Sequence, residues 1–340
     1  MSVAQTMVQR LILIASLSLA TLAFAQGTEP PPPSKKDAAA VLQRAEEQTR
    51  INSAGRPPFR LIAKLHYTSG KTTMDGAYEV LWQAPDRFRE EFGLGPFSES
   101  DVAVPGKLYV RRNTPVPALA LWRLRTLTGL PTSKAVISVD KIAKVLPQKN
   151  SAGSVWCFEL APPSLAADCV EPLSGRLISM GASAKNGLGG FSEDHFISVG
   201  SSNYATHMLS TIGTDSIEVN VDELDQVDGF ADGIFSPPNG ATSSDWCPNP
   251  SVAKDDGQEL RIWTSIAFGS GFPPPRTHDL TGYYLKVGTD GGIEFAAEMH
   301  PDGTARRVDL VGANNVRLPV HSCAGKPIGY ETIMGGPISR

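Results

Sequence analysis

The chain has 340 residues, of which 41% are hydrophobic and 19% are charged, and its formal net charge is −4. This composition excludes a fibrous, a collagen-like and a wholly disordered protein. The length is sufficient for two domains or one large domain with its own core. A small negative charge provides no general attraction to nucleic acid or to anionic lipid, so we expect no nucleic-acid partner.

The first 25 residues have the pattern of a secretory signal peptide. Arg10 precedes a mostly apolar run, Leu11–Ala25, in which Ala23 and Ala25 are small residues at the −3 and −1 positions. An uncleaved membrane anchor is the alternative, but a transmembrane helix usually needs about 20 apolar residues. We therefore predict cleavage before Gln26, a periplasmic or secreted location, and no membrane span in the mature chain.

Export gives the four cysteines a structural meaning, because disulfides form in oxidising compartments. Cys157, Cys169, Cys247 and Cys323 allow three pairings. The first two are twelve residues apart and flank a Pro-Pro pair, which suggests that they face each other across a hairpin. We predict the pair Cys157–Cys169, which leaves Cys247–Cys323. A cysteine metal site is the alternative, but no Cys-x-x-Cys pair is present, and we predict no metal and no cofactor.

In chain order, a Pro-rich leader at residues 26–36 is followed by an amphipathic helix over residues 37–51. Period-two alternation then predicts a series of half-buried strands, with a helix at 117–130 and a shorter helix at 140–146 interrupting them. The strands are expected at 59–67, 78–83, 87–92, 107–111, 155–160, 175–180, 196–199 and 216–221. This order is typical of a curved antiparallel sheet that covers helices on one face.

A stretch rich in Gly, Pro, Ser and Asn at residues 228–251 marks a domain boundary. We predict a larger domain at 37–236, a linker at 237–255 and a small β-rich domain at 256–340. Within the last, alternating residues predict strands at 293–299, 306–311 and 328–333, the first two joined by the turn His300–Gly303.

Residues 37–227 resemble the LolA/LolB-like periplasmic lipoprotein carriers. The resemblance is carried by Gly76, by Trp82–Arg89 with its Pro-x-Arg-Phe-Arg strand start, by Asp101–Tyr109 with its Gly-Lys turn, and by Pro172–Leu177. It implies a mainly β (α+β) fold, an open antiparallel β-barrel whose helices plug an apolar cavity. It also implies acyl chains of lipoproteins as the cargo or, as in one relative, the sensing of envelope state through a protein partner.

The C-terminus is similar, more faintly, to the C-terminal domain of TonB-type energy transducers. The similarity covers Tyr283–Met334 and depends on Pro301–Gly303 between two strands, on Pro319, and on Cys323–Ile328. It implies an envelope protein as a possible partner.

The apolar faces of the first strands are the predicted ligand site. If part of this face is left open, it forms a hydrophobic pocket; if it is filled, it is an ordinary core. The predicted lining residues are Phe59, Leu61, Leu65, Tyr67, Tyr78, Val80, Trp82 and Phe88. We therefore predict an exported binding protein without catalytic function that holds a hydrophobic or lipidated ligand, with an envelope sensing module as the alternative.

An unrecognised secreted enzyme is the remaining alternative. The sequence has no His-Glu-x-x-His and no Gly-x-Ser-x-Gly motif. His195 follows two carboxylates, and His300 and His321 would meet if their strands paired, but both arrangements are more typical of solvated surface residues. We therefore assign no catalytic, cofactor-binding or metal-binding residue.

Overall fold

The structure is a computed structural model that describes residues 30–132, 142–150, 153–160, 166–182, 190–212, 215–253, 282–300, 304–308 and 317–335. The predicted signal peptide lies outside these residues, as does the turn at 301–303. Within the described residues, no helix is long and apolar enough to span a membrane.

The first helix of the described residues, α1 (Lys35–Thr49), has its N-cap at Ser34, whose hydroxyl accepts a hydrogen bond from the Asp37 backbone N–H at 3.3 Å. Ala38, Leu42 and Ala45 recur at helical spacing and are buried. The predicted leading helix is therefore confirmed.

Twenty strands, one further α-helix and a 3-10 turn at Asp232–Phe235 follow within the described residues. Five strands come first, and the second helix, α2, separates them from the remaining fifteen. The elements are β1 (Phe59–Ser69), β2 (Thr72–Ala84), β3 (Arg87–Leu94), β4 (Phe97–Val104), β5 (Lys107–Arg112), α2 (Leu119–Thr128), β6 (Ile142–Asn150), β7 (Gly153–Leu160), β8 (Ala166–Val170), β9 (Leu177–Ala182), β10 (Gly190–Val199), β11 (Ser202–Ile212), β12 (Asp215–Gln226), β13 (Thr242–Asp245), β14 (Ser251–Val252), β15 (Gly282–Val287), β16 (Ile293–Met299), β17 (Ala305–Arg307), β18 (His321–Cys323), β19 (Lys326–Ile328) and β20 (Tyr330–Gly335).

The largest sheet has nine antiparallel strands in the order β10-β11-β12-β1-β2-β3-β4-β5-β13. Its two outer strands do not pair with each other within the described residues, so the sheet is open. A second sheet, β6-β7-β8-β9, packs against α1 in a separate apolar cluster. The fold class is therefore mainly β with open antiparallel sheets, as predicted.

The predicted short helix at 140–146 is wrong, because its described part belongs to strand β6, which continues to Asn150. Pro147 directly follows the predicted helix and lies within β6, and its ring disfavours the helical conformation at the preceding residue, Leu146. β6 lies at the edge of its sheet. An edge strand tolerates proline because one side of its ladder is unpaired.

The C-terminal part contains two small sheets. One, named here the C-terminal sheet, has the order β17-β16-β15-β20, and the other has the order β14-β18-β19. The predicted linker contains two strands, each of which belongs to a sheet. β13 pairs with β5, which precedes the linker in sequence, and β14 pairs with β18, which follows it. The domain boundaries stay predictions.

Candidate functional site

All eight residues of the predicted ligand site lie on one face of strands β1, β2 and β3, and each is at most 2% exposed. Their strands are in register, so that Phe59 is opposite Trp82 and Leu61 is opposite Val80. The rings of Phe59 and Trp82 stack with centroids 5.4 Å apart. The sequence therefore placed these side chains together on one buried apolar face.

Helix α2, named here the plug helix, covers this face. Leu121, Leu124 and Leu127 belong to the same apolar cluster as the eight strand residues and are at most 2% exposed. The space next to the strands is thus filled by the protein's own leucines. A ligand role for this face stays a prediction, and it requires that the plug helix move.

Two arginines of the plug helix contact strands that lie far apart in the nine-stranded sheet. The Arg123 guanidinium donates to the Ser210 carbonyl on β11 at 2.9 Å, and the Arg125 guanidinium contacts the Asp101 carboxylate on β4 at 2.6 Å. Five strand steps separate β11 from β4, which would be about 24 Å in a flat sheet. Side chains two residues apart point to nearly opposite sides of a helix, so polar contacts hold the plug helix to strands on both sides of the apolar face.

Arg125 lies in a cluster of buried charges. Its guanidinium is within 3.0–3.1 Å of both Glu90 carboxylate oxygens through Nε, and it is 2.6 Å from Asp101 and 3.6 Å from Glu99. The side chains of the three acids are only 1–6% exposed. Arg112 approaches Glu99 at 3.1 Å and supplies a second positive charge.

Three carboxylates and two guanidiniums leave one excess negative charge in this cluster. Burial raises the pKa of Asp101 well above its usual range, and it also raises the pKa of Glu99, with neighbouring carboxylates adding to both shifts. The cluster therefore favours retention of a proton. Sequence reasoning missed all five residues, although Glu90 lies between the inward-facing Phe88 and Phe92 on β3.

Arg123 is the second charged residue of the plug helix and, unlike the half-buried Arg125, it is only 1% exposed. Besides the Ser210 carbonyl it donates to the Asp215 carbonyl at 3.4 Å, and its guanidinium carbon lies 5.9 Å from the centroid of the Tyr67 ring. Burial lowers the pKa of its guanidinium. Polar contacts on both sides therefore fix the orientation of a helix that otherwise packs by leucines.

Both predicted disulfides are present. Cys157 and Cys169 occupy paired positions on β7 and β8, with Cα atoms 4.0 Å apart. Cys247 and Cys323 join the segment after β13 to β18, across 76 residues of sequence. This pairing accounts for all four cysteines of the chain.

The histidines among the described residues do not form a metal centre. The ring of His195 lies 5.9 Å from that of His207, whose Nε2 is 2.9 Å from Glu218. His300 follows β16 of the C-terminal sheet, whereas His321 lies in β18 of the other small sheet. The ring of His321 stacks on that of Tyr330. No three His, Cys, Asp or Glu side chains in the described part of the chain are placed to hold a metal ion.

A pocket of about 150 Å³ lies away from the plug helix leucines and is lined by Asn52, Ser53, Pro85, Pro131, Pro248 and neighbouring residues. Ligand pockets for drug-sized molecules usually have volumes of about 300–1,000 Å³. This pocket is therefore too small for an acyl chain.

Solved structures with a similar chain trace include three small bacterial proteins. A DUF1329 family protein from Desulfovibrio piger has 10% identity and a TM-score of 0.42, and the match covers 60% of this chain and 98% of that one. An outer membrane lipoprotein-sorting protein domain from Vibrio parahaemolyticus has 13% identity and a TM-score of 0.38, covering 59% and 97%. A LolA superfamily protein from Nitrosomonas europaea has 10% identity and a TM-score of 0.34, covering 58% and 96%. No protein-family model and no curated protein sequence matches the chain.

The names of two of these structures, a lipoprotein-sorting protein domain and a LolA superfamily protein, agree with the LolA-like resemblance expected from the sequence. At identities of 10–13% and TM-scores below 0.5, they carry no conclusion about function. The second resemblance, of Tyr283–Met334 to TonB-type domains, finds no support in them.

Proposed function

We propose that this chain is an exported, non-catalytic binding protein that holds a hydrophobic or lipidated ligand between its curved sheet and the plug helix. The observation that carries the proposal is the continuous apolar face of β1–β3, which is covered by one short helix. A ligand would bind there by replacing the leucines of that helix.

The free energy that holds the plug helix in place is comparable to the free energy that a bound acyl chain would gain in the same space. Burying a leucine side chain contributes about 1.5–3 kcal/mol, so Leu121, Leu124 and Leu127 together contribute about 5–9 kcal/mol to holding the helix in place. A palmitoyl chain with about 15 buried carbon groups gains about 12 kcal/mol at about 0.8 kcal/mol each. Loss of the Arg125 contacts adds about 3 kcal/mol to the cost of moving the helix. The total of about 8–12 kcal/mol is still matched by an acyl chain, whereas a short apolar molecule cannot match it.

The proposed location is the periplasm or the exterior of the cell. The signal-peptide pattern at residues 1–25 supports export, and the two disulfides are of the kind that persist in oxidising compartments. A lipoprotein or another acylated molecule of the cell envelope would then be the ligand.

Binding of a fluorescent long-chain polyene fatty acid, measured by titration, tests the proposal. We expect saturable binding by the wild-type protein, and binding at least about tenfold tighter by Leu124→Ala, because the truncated side chain weakens the plug and opens space beside the strands. Leu173→Ala is the matched control, since Leu173 is 78% exposed. Absence of saturable binding by both wild type and Leu124→Ala would contradict the proposal.

Native mass spectrometry of the protein purified from the periplasm separates the carrier from the envelope sensing module. Co-purified lipid supports the carrier. A stoichiometric protein partner without lipid supports the sensing module instead.

A further inference from the structure

The plug helix has a second apolar side, which faces away from the strands β1–β3, named here the barrel strands. Leu119 on this side is 2% exposed, and Val116 just before the helix is 3% exposed. Trp122, one helical turn after Leu119, packs against the same cluster. These three residues do not belong to the cluster that contains the barrel face.

The C-terminal sheet covers this second side. Tyr284 on β15 and Ala297 and Met299 on β16 form one buried cluster with Val116 and Leu119, and Phe295 and Ile333 pack against it. Residues 295, 297 and 299 alternate along β16 and so face the same side of the sheet. The opposite face has a core of its own, which includes Leu285 and Ala296.

An ionic contact lies beside the apolar one. Arg112, at the end of β5, is 3.1 Å from Glu99 of the buried charge cluster and 3.0 Å from Glu331 on β20. Its side chain is 12% exposed. The same guanidinium thus joins the C-terminal sheet to the carboxylates that hold Arg125 of the plug helix.

A covalent tether keeps the C-terminal strands nearby. The disulfide Cys247–Cys323 connects β18 to the segment that follows β13, and Lys326 on β19 lies 3.3 Å from Asp245 on β13. If the C-terminal sheet separates from the plug helix, this disulfide still limits the distance between them.

We propose that the C-terminal sheet is a latch: it holds the plug helix inside the barrel, and its release admits the ligand. Only the second part of this proposal, the admission of ligand, rests on the proposed function. The hold on the helix is a property of the protein alone and is measurable without any ligand.

Hydrogen exchange of the plug helix amides, followed by mass spectrometry in a double-mutant cycle, tests the latch. Leu119→Ala and Met299→Ala should each accelerate exchange in residues 119–128 by about tenfold or more. Since both residues belong to the same buried cluster, the double variant should exchange more slowly than the product of the two single effects predicts. Exchange in β1 and β2 should stay unchanged, which shows that the barrel remains folded.

Leu285→Ala is the matched control, because it truncates a buried leucine on the opposite face of the same sheet. The effects of Leu285→Ala and Leu119→Ala on the exchange rate of the plug helix amides should multiply in the double variant. Glu331→Gln removes the negative charge that faces Arg112 and Tyr284 but truncates no apolar side chain, so it serves if Met299→Ala does not fold. We expect a smaller acceleration of exchange in the plug helix. Glu294→Gln, at an exposed site of β16, should cause none.

Unchanged plug helix exchange in Met299→Ala and Glu331→Gln, while exchange in β15 and β16 accelerates, would overturn the latch. Faster plug helix exchange together with tighter binding of the polyene fatty acid supports both the latch and the proposed function. Faster exchange without fatty acid binding by any variant supports the latch and overturns the proposed function.

Discussion

Replacing Arg125 by methionine removes the charge at the centre of the buried cluster and leaves most of the side-chain volume. The carboxylates of Glu90, Glu99 and Asp101 would stay buried with only Arg112 nearby. Removing one partner from a buried ion pair typically destabilises a protein by about 3–5 kcal/mol. Because the Arg125 side chain is 31% exposed, we expect the lower end, about 3 kcal/mol, at neutral pH.

The cost of this substitution should depend on pH. Arg125 lowers the pKa of Asp101 and of Glu99, so its removal raises both pKa values further above those of the unfolded chain. A carboxyl group whose pKa is raised by folding stabilises the fold below its unfolded pKa, and this contribution is lost as pH rises through the folded pKa. The difference between wild type and variant should therefore shrink on acidification, by up to about 1.4 kcal/mol per pH unit for each proton.

Urea unfolding with intact disulfides, at about pH 4.5 and about pH 7.5, measures this difference. Arg44→Met is the matched control, since Arg44 is exposed on helix α1 and its replacement should change stability by at most about 0.5 kcal/mol. Adding Asp101→Asn to Arg125→Met should restore part of the stability at the higher pH. A cost below about 1 kcal/mol, or an equal cost at the two pH values, would refute the reasoning.

Three further predictions concern stability. Asp101→Asn removes a carboxyl group whose pKa is raised by burial in the folded protein. Ionisation of such a group destabilises the fold, so the stability of the wild type relative to this variant should fall as pH rises above about 4. A Cβ at Gly76 would lie 2.2 Å from the Gly93 carbonyl oxygen, so Gly76→Ala should cost about 1–3 kcal/mol in urea unfolding, whereas Gly93→Ala, where nothing lies within 4 Å, should be nearly neutral. Replacing Cys247 and Cys323 by serine opens a long loop in the unfolded chain and should cost about 4–5 kcal/mol by calorimetry; a cost near zero would contradict the loop-entropy argument.

The barrel strands were predictable because period-two alternation is a local property. From Phe59 to Tyr67 along β1, every second residue is buried, as it is from Tyr78 to Trp82 on β2. The leading helix and the plug helix were predictable for the same reason, at the helical period. The first disulfide followed from the hairpin that its two cysteines flank.

Strand β11 was not predicted because its burial breaks the alternation. Tyr204 and Ala205 are adjacent and both buried, and the polar Ser210 is fully buried where it accepts the hydrogen bond from Arg123. A polar residue on the inward face conceals the period-two pattern. The Ser210 hydroxyl accepts a hydrogen bond from Arg123 Nη2 at 3.3 Å, and because Arg123 lies 87 residues away, no local pattern identifies this partner.

The buried charge cluster was missed for a related reason. Glu90 shares the inward side of β3 with Phe88 and Phe92, and that spacing was visible in the sequence. Its partner Arg125 lies 35 residues later on the plug helix. The pairing depends on how the sheet curves around that helix, which is a tertiary property, so the most polar part of the site could be found only in the structure.

The most direct test of the central claim is hydrogen exchange in the plug helix with and without saturating palmitate. If the ligand replaces the helix, amides of residues 119–128 should exchange faster in its presence, while those of β1 and β2 stay protected. If palmitate leaves these helix amides unchanged or slows their exchange, the ligand does not enter between the sheet and the helix, and the proposed binding site is wrong.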